Sequence, residues 1–213
     1  MDKGILELEK KIGLEENFFE NLLKEDDWSF IIKLHALFES ACTQLLIFHF
    51  NEPGMVEVIS RLELSNKTTG KLAFLKAAEL LGQDDRKYIS SLSEIRNKLV
   101  HDVRNTKYSL VELTGSLNAK QLTQFVRTFN PFEARIIDIQ EGKGIFTKEK
   151  GSLDLPNNYD INMLIKRAKE NPKEYIWHGA YGVLVSIVDM HGYSDYKQWK
   201  KAKKVVFEDD DEA

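Results

Sequence analysis

From Trp28 to Phe50 the chain carries neither proline nor glycine and is apolar at most positions. Laid out at about 100° per residue, the stretch keeps only a polar edge of Ser29, Lys33, Ser40, Thr43, Gln44 and Asn51. A helix this apolar belongs inside a helical bundle. Asp26 or Asp27 caps its start, and Pro53-Gly54 lies just past its end. It is not read as a membrane span. A span needs roughly 20 consecutive apolar residues, and the longest run here, Leu45 to Phe50, is interrupted by His49.

The rest of the chain supports the same class. There are only 4 prolines in 213 residues, which favours helix over a turn-rich β architecture. Periodicity and end signals predict helices over Ile5 to Leu23 (broken only by Gly13), Thr69 to Leu81, Asp84 or Asp85 to about Val103, and Ala119 to Phe129 behind Asn118. A last helix, Tyr175 to Met190, opens at Asn171-Pro172 and stops at Gly192. Residues 140–158, with Gly142, Gly144, Gly151 and Pro156, read as a flexible loop. The expected fold is all-α: one domain over 1–213, a bundle of about four core helices within 28–111, C-terminal helical additions over 112–204, and an acidic tail at 205–213.

Charge and cysteine content narrow the setting. Cys42 is the single cysteine, so no intrachain disulfide forms, which fits a reducing cytoplasm. Met1 to Lys11 lacks an apolar core behind a basic start, so it does not read as a signal peptide. The net charge of -4 argues against nucleic acid, yet it comes from Glu208 to Glu212, which follow a basic cluster at Lys197, Lys200, Lys201, Lys203 and Lys204. That cluster reads either as a solvated helix end or as a weak polyanion-binding patch screened by the tail.

Chemistry concentrates between Glu94 and Asp102. Arg96, Asn97 and His101 place a guanidinium, a carboxamide and an imidazole within two turns of one helix. Its apolar side gathers Tyr88, Ile89, Leu92, Ile95, Leu99, Val100 and Val103. Ser93, Glu94, Asn97, Lys98 and His101 fall on the other side. Arg96 points among the apolar residues and cannot lose its proton, so it needs an anionic partner or a wet cleft. His35 and Glu39, spaced i, i+4 on the apolar side of the long helix, offer one, and Glu39 is expected to pair with Arg96. That pair would support a site or simply orient two helices. Arg96 and His101 diverge by about 140°. A joint site therefore needs either the helix to end near His101, so that the arginine curls over, or a second copy facing the first. Such a cleft would bind phosphate through the guanidinium and move a proton through the imidazole, cleaving RNA without metal. A histidine in the last helical turn is equally what the helix dipole favours.

Other chemistry is poorly represented. The five histidines never reach tight ligand spacing and one cysteine cannot build a thiolate site, so neither metal nor cofactor is expected. Gly142-Lys143-Gly144 lacks the rest of a phosphate loop. Tyr175, Trp177, Tyr181 and Trp199 are spaced as core aromatics rather than as a base-stacking ladder.

The long apolar helix with His35 and Glu39, followed by Arg96-Asn97 and His101, resembles the HEPN superfamily over Trp28 to about Val111. That family comprises helical bundles, many of them dimeric, metal-independent ribonucleases of toxin–antitoxin, phage-defence and RNA-processing systems, together with non-catalytic members. The resemblance implies a homodimer acting on RNA, with Arg96 and His101 catalytic, Asn97 the polar position between them, and a cognate protein partner. Val103 stands where many of the toxins carry an aromatic. Ile95 to Leu113, including His101-Asp102 and Tyr108, is also similar to mannitol-operon-repressor-like proteins, which implies a non-enzymatic regulator of transcription. Glu39, His35 and Asp102 are then supporting residues.

Overall fold

The computed structural model of the chain describes residues 2–101, 107–140 and 160–208, with side chains to residue 138 in the second stretch and to 191 in the third. The described residues form helices joined by turns, with no strand among them. Of the loop predicted over 140–158, Gln140 ends a helix and the rest lies outside them; of the acidic tail predicted over 205–213, residues 205–208 continue a helix and 209–213 lie outside.

The first helix, α1 (Lys3–Lys11), begins where the Asp2 carboxylate accepts the Gly4 and Ile5 amides. The helix predicted over Ile5 to Leu23 is broken at Gly13, as expected, and a second time at Asn17. Gly13 takes a φ of 77° and Asn17 one of 61°, left-handed conformations that end helical hydrogen bonding. The chain resumes as α2 (Phe18–Asn21) and a 3-10 turn to Lys24. Glu9, only 1% exposed, ties this corner by accepting the Asn17 and Phe19 amides at 3.1 and 2.8 Å. The Phe19 ring stacks on Trp177 with centroids 4.6 Å apart, and the Phe19 carbonyl accepts the Trp177 indole N–H.

The long helix is α3 (Asp27–Phe50), capped by Asp26 on the Ser29 amide and closed by Asn51 at a φ of 47°. By length and composition it could cross a membrane. Here Phe30, Ile31, Leu34, Phe38, Leu45 and Leu46 are wholly buried among other helices. Each such side chain contributes about 1.5–3 kcal/mol on leaving water.

The short α4 (Val56–Arg61) and α5 (Lys71–Ala77) follow. α5 stops before the predicted Leu81 because Glu79 adopts a left-handed φ of 58°. Then come α6 (Gln83–Val100), α7 (Leu110–Ser116), α8 (Ala119–Phe129), α9 (Pro131–Gln140), α10 (Ile161–Glu170) and α11 (Pro172–Glu208). The α8 start is a capping box of Asn118 and Gln121. α11 opens at Pro172 but runs through Gly192, since one glycine costs a helix only about 1 kcal/mol.

α3, α6, α8 and α11 pack together at the centre, with α1 against α11 and α5 against α3. The later helices do more than extend a core formed earlier. Phe125, Val126, Phe129, Leu164, Ile176 and Leu184 belong to the same apolar cluster as α3 and α6. Tyr88 links the four. Its ring meets Phe38 and Phe129, and its hydroxyl donates to the Ile176 carbonyl at 2.8 Å.

The approach of α8 to α11 depends on Gly179. A Cβ there would lie 1.7 Å from the Phe129 carbonyl oxygen, which is backbone and cannot step aside. Gly182, on the same helix, has open space around it. Gly179→Ala should therefore destabilise by about 3 kcal/mol despite alanine's better helix propensity, whereas Gly182→Ala should stabilise by about 0.5–1 kcal/mol. Urea unfolding of the two variants checks this pair, and equal effects would contradict the packing.

Candidate functional site

The helix that carries the motif starts behind Gly82, with Asp84 and Asp85 in its first turn where the helix dipole favours negative charge. Its buried face is Tyr88, Ile89, Leu92, Ser93 and Leu99, with Ile95 packed at the margin. Two expected positions change. Ser93 faces the core rather than solvent, and Val100 is 39% exposed. The helix ends at Val100, with His101 as an exposed C-cap residue. Asp102 and Val103 lie outside the described residues.

Arg96 is half-buried, and its Nη1 donates to Asn97 Oδ1 at 3.1 Å. The long side chain thus curls around the helix toward the carboxamide that shares a face with His101. The expected ion pair with Glu39 does not form. Glu39 Oε1 instead accepts Lys71 Nζ at 3.1 Å. The difference follows from burial. The Lys71 side chain is 1% exposed and must have a counter-charge, whereas a half-buried guanidinium keeps access to water. Among the described residues no carboxylate forms an ion pair with Arg96.

His35 lies in the same neighbourhood. The Ser93 hydroxyl donates to the Ile89 carbonyl at 2.9 Å, so it accepts from His35 Nε2 at 3.1 Å. Burial holds the imidazole below its ordinary pKa; Glu39 opposes this, while the Arg96 and Lys71 charges add to it. His35, Glu39, Lys71 and Arg96 therefore form one electrostatic group linking α3, α5 and α6. Sequence reading identified three of them. Lys71 was missed, although its place four residues before Leu75 on a buried stripe was the available signal. Cys42 is buried beside this group, and burial pushes its thiol up to about 12, which makes it an inert core residue.

A concavity lies on the opposite flank of α6. A groove of about 690 Å³ runs between α6, α7 and α8. Ile95, Leu113, Leu117 and Phe125 give it an apolar floor, and Glu94, Lys98, Lys120, Gln121 and Gln124 are among its polar rim. Arg96, Asn97 and His101 do not line it. Sequence reading did not find it, because its walls come from three separate helices. Among the described residues no cluster of His, Cys, Asp and Glu could hold a metal ion. Of the C-terminal aromatics expected in the core, the Trp199 side chain lies outside the described ones. Tyr175 is buried with its hydroxyl on the Val126 carbonyl, Trp177 is half-buried, and Tyr181 is the more exposed at 36%.

Set against family models, curated proteins and solved structures, the chain matches none of them.

Two measurements test this polar group. Glu39→Ala strands a buried ammonium and should cost about 2 kcal/mol or more, whereas Lys71→Met leaves a carboxylate that reaches water and should be nearly neutral. Equal losses in chemical denaturation would contradict the asymmetry. For His35 the folded pKa lies below the unfolded value of about 6.5. Its contribution is complete above the unfolded value and is lost as pH falls through the folded one. Unfolding free energy measured from pH 8 to 5 should fall more steeply for the wild type than for His35→Gln.

Proposed function

We propose that the chain is a HEPN-like RNA-directed protein that cleaves RNA without metal as a cytoplasmic homodimer, through Arg96, Asn97 and His101 at the end of α6. The observation that carries this reading is the half-buried Arg96 guanidinium, hydrogen-bonded to Asn97 and unneutralised by any described carboxylate, on the same last turns of α6 that end at the exposed His101. A cation with no carboxylate partner among the described residues can receive an anion, and a planar guanidinium fits phosphate oxygens with paired N–H donors.

Arg96 and His101 still leave the helix in directions about 140° apart. A second copy, related by a two-fold axis at this end of α6, places one copy's guanidinium opposite the other's imidazole. In that cleft one imidazole takes the proton of a ribose 2′-hydroxyl as its oxygen attacks the adjacent phosphorus. The guanidinium stabilises the charge on the phosphorane. The bond from phosphorus to the 5′-oxygen breaks, and the second imidazole returns a proton to that oxygen. The products are a 2′,3′-cyclic phosphate and a 5′-hydroxyl, and no metal ion takes part.

A second reading is a non-enzymatic regulator that uses the same bundle to bind a protein or DNA partner. It draws on the openness of His101, which has no hydrogen-bond partner among the described residues. One assay separates the two. Purified protein incubated with RNA in EDTA should yield cyclic-phosphate ends, and His101→Ala should slow cleavage by about 10²-fold or more. Intact RNA with both proteins, at unchanged folding and dimerisation, would instead support the regulator.

A further inference from the structure

We infer that the groove between α6, α7 and α8 holds a nucleotide of the RNA strand next to the cleaved phosphate, an assignment that rests on the function proposed above. The first argument is register. Glu94 and His101 are seven residues apart, so they lie on one stripe of α6, about 20° and two turns from each other. Lys98 lies between them, one turn before His101. Glu94 and Lys98 line the groove. The imidazole thus stands where the stripe leaves the groove, and a strand lying in it would emerge beside His101.

The second argument is the chemistry of the walls. The volume of about 690 Å³ lies within the range of sites for compact organic ligands. Ile95, Leu113, Leu117 and Phe125 offer a floor for a flat ring. The rim is set by its own hydrogen bonds. Gln121 Oε1 accepts the Asn118 amide, which leaves the Gln121 NH₂ as a donor. Gln124 Nε2 donates to Thr128 Oγ1, which leaves the Gln124 carbonyl as an acceptor. A fixed donor one turn from a fixed acceptor suits the polar edge of a nucleobase, and an acyl chain would leave both unused. Among the described lining residues, two lysines, Lys98 and Lys120, stand against one carboxylate, Glu94, and exposed Lys120 is the cation the rim offers to phosphate.

Fluorescence anisotropy with a 5′-labelled, fully 2′-O-methylated RNA octamer, which resists cleavage, tests the assignment on the full-length chain. Leu117→Trp fills the floor without changing charge, and exposed Lys120→Glu and Gln124→Ala alter the rim without disturbing the core. Lys166→Glu reverses an exposed charge on α10, away from the groove. The inference expects Kd to rise about ten-fold or more for Leu117→Trp and Lys120→Glu, to rise for Gln124→Ala, and to stay unchanged for Lys166→Glu. Equal weakening by Lys120→Glu and Lys166→Glu, with wild-type binding by Leu117→Trp and Gln124→Ala, would overturn it in favour of non-specific attraction. If those two variants also cleave RNA at the wild-type rate while Arg96→Ala and His101→Ala do not, the groove assignment fails and the nuclease reading stands. A wild type that binds adenosine monophosphate but no octamer overturns both.

Discussion

A helix with as much apolar surface as α3 must be enclosed along most of its circumference, and the arrangement of the chain follows from that requirement. α6 and α11 cover it lengthwise, α5 closes one flank, and α8 fills the space left between α6 and α11. The fit is close enough that one backbone carbonyl, that of Phe129, occupies the place of a missing side chain at Gly179. Dense packing of this kind tolerates little change in volume. It also fixes the axis of α6 and hence the direction in which each of its polar residues leaves the helix.

The same enclosure explains the polar group inside the bundle. Lys71 enters α5 at a buried position, and only a carboxylate on α3 can balance it. That engages Glu39 and leaves Arg96 to find another neighbour, which it does in Asn97. The interior charge is thus balanced within α3 and α5, while the cation on α6 hydrogen-bonds to a neutral carboxamide. His35, hydrogen-bonded to Ser93 and held below its ordinary pKa by burial, feels the charges of Glu39, Arg96 and Lys71 alike.

Much of this could be read from the residues in order. Asp26, Asn118 and Asn171-Pro172 mark helix starts that the structure places within a residue or two, because capping is a local interaction. α4, α7, α9 and α10 were not read from the sequence: α4 and α7 are short and lean on tertiary packing, whereas α10 carries its own signals, an amphipathic pattern behind the Asp160 cap on the Met163 amide. Asn130-Pro131 was read as an end alone, although a proline also suits the first turn of the next helix, α9. In the candidate site, Arg96, Asn97 and His101 could be named from type and spacing. Which carboxylate would meet which cation could not, because Lys71 and Arg96 compete for Glu39 only in three dimensions. The end of the helix at Val100 rather than Val103 likewise decides that His101 stands at its rim instead of within its last turn.

The corner at Glu9 has an optical consequence. Phe19 is held at its amide by a buried carboxylate, at its carbonyl by the Trp177 indole, and at its ring by that same indole. The leading helices are thereby docked onto α11 through a natural fluorophore. Any partial detachment of the amino-terminal segment would release the indole N–H and its stacked neighbour together, so in a variant whose other two tryptophans, Trp28 and Trp199, are replaced by phenylalanine the emission colour of Trp177 reports the attachment of that segment.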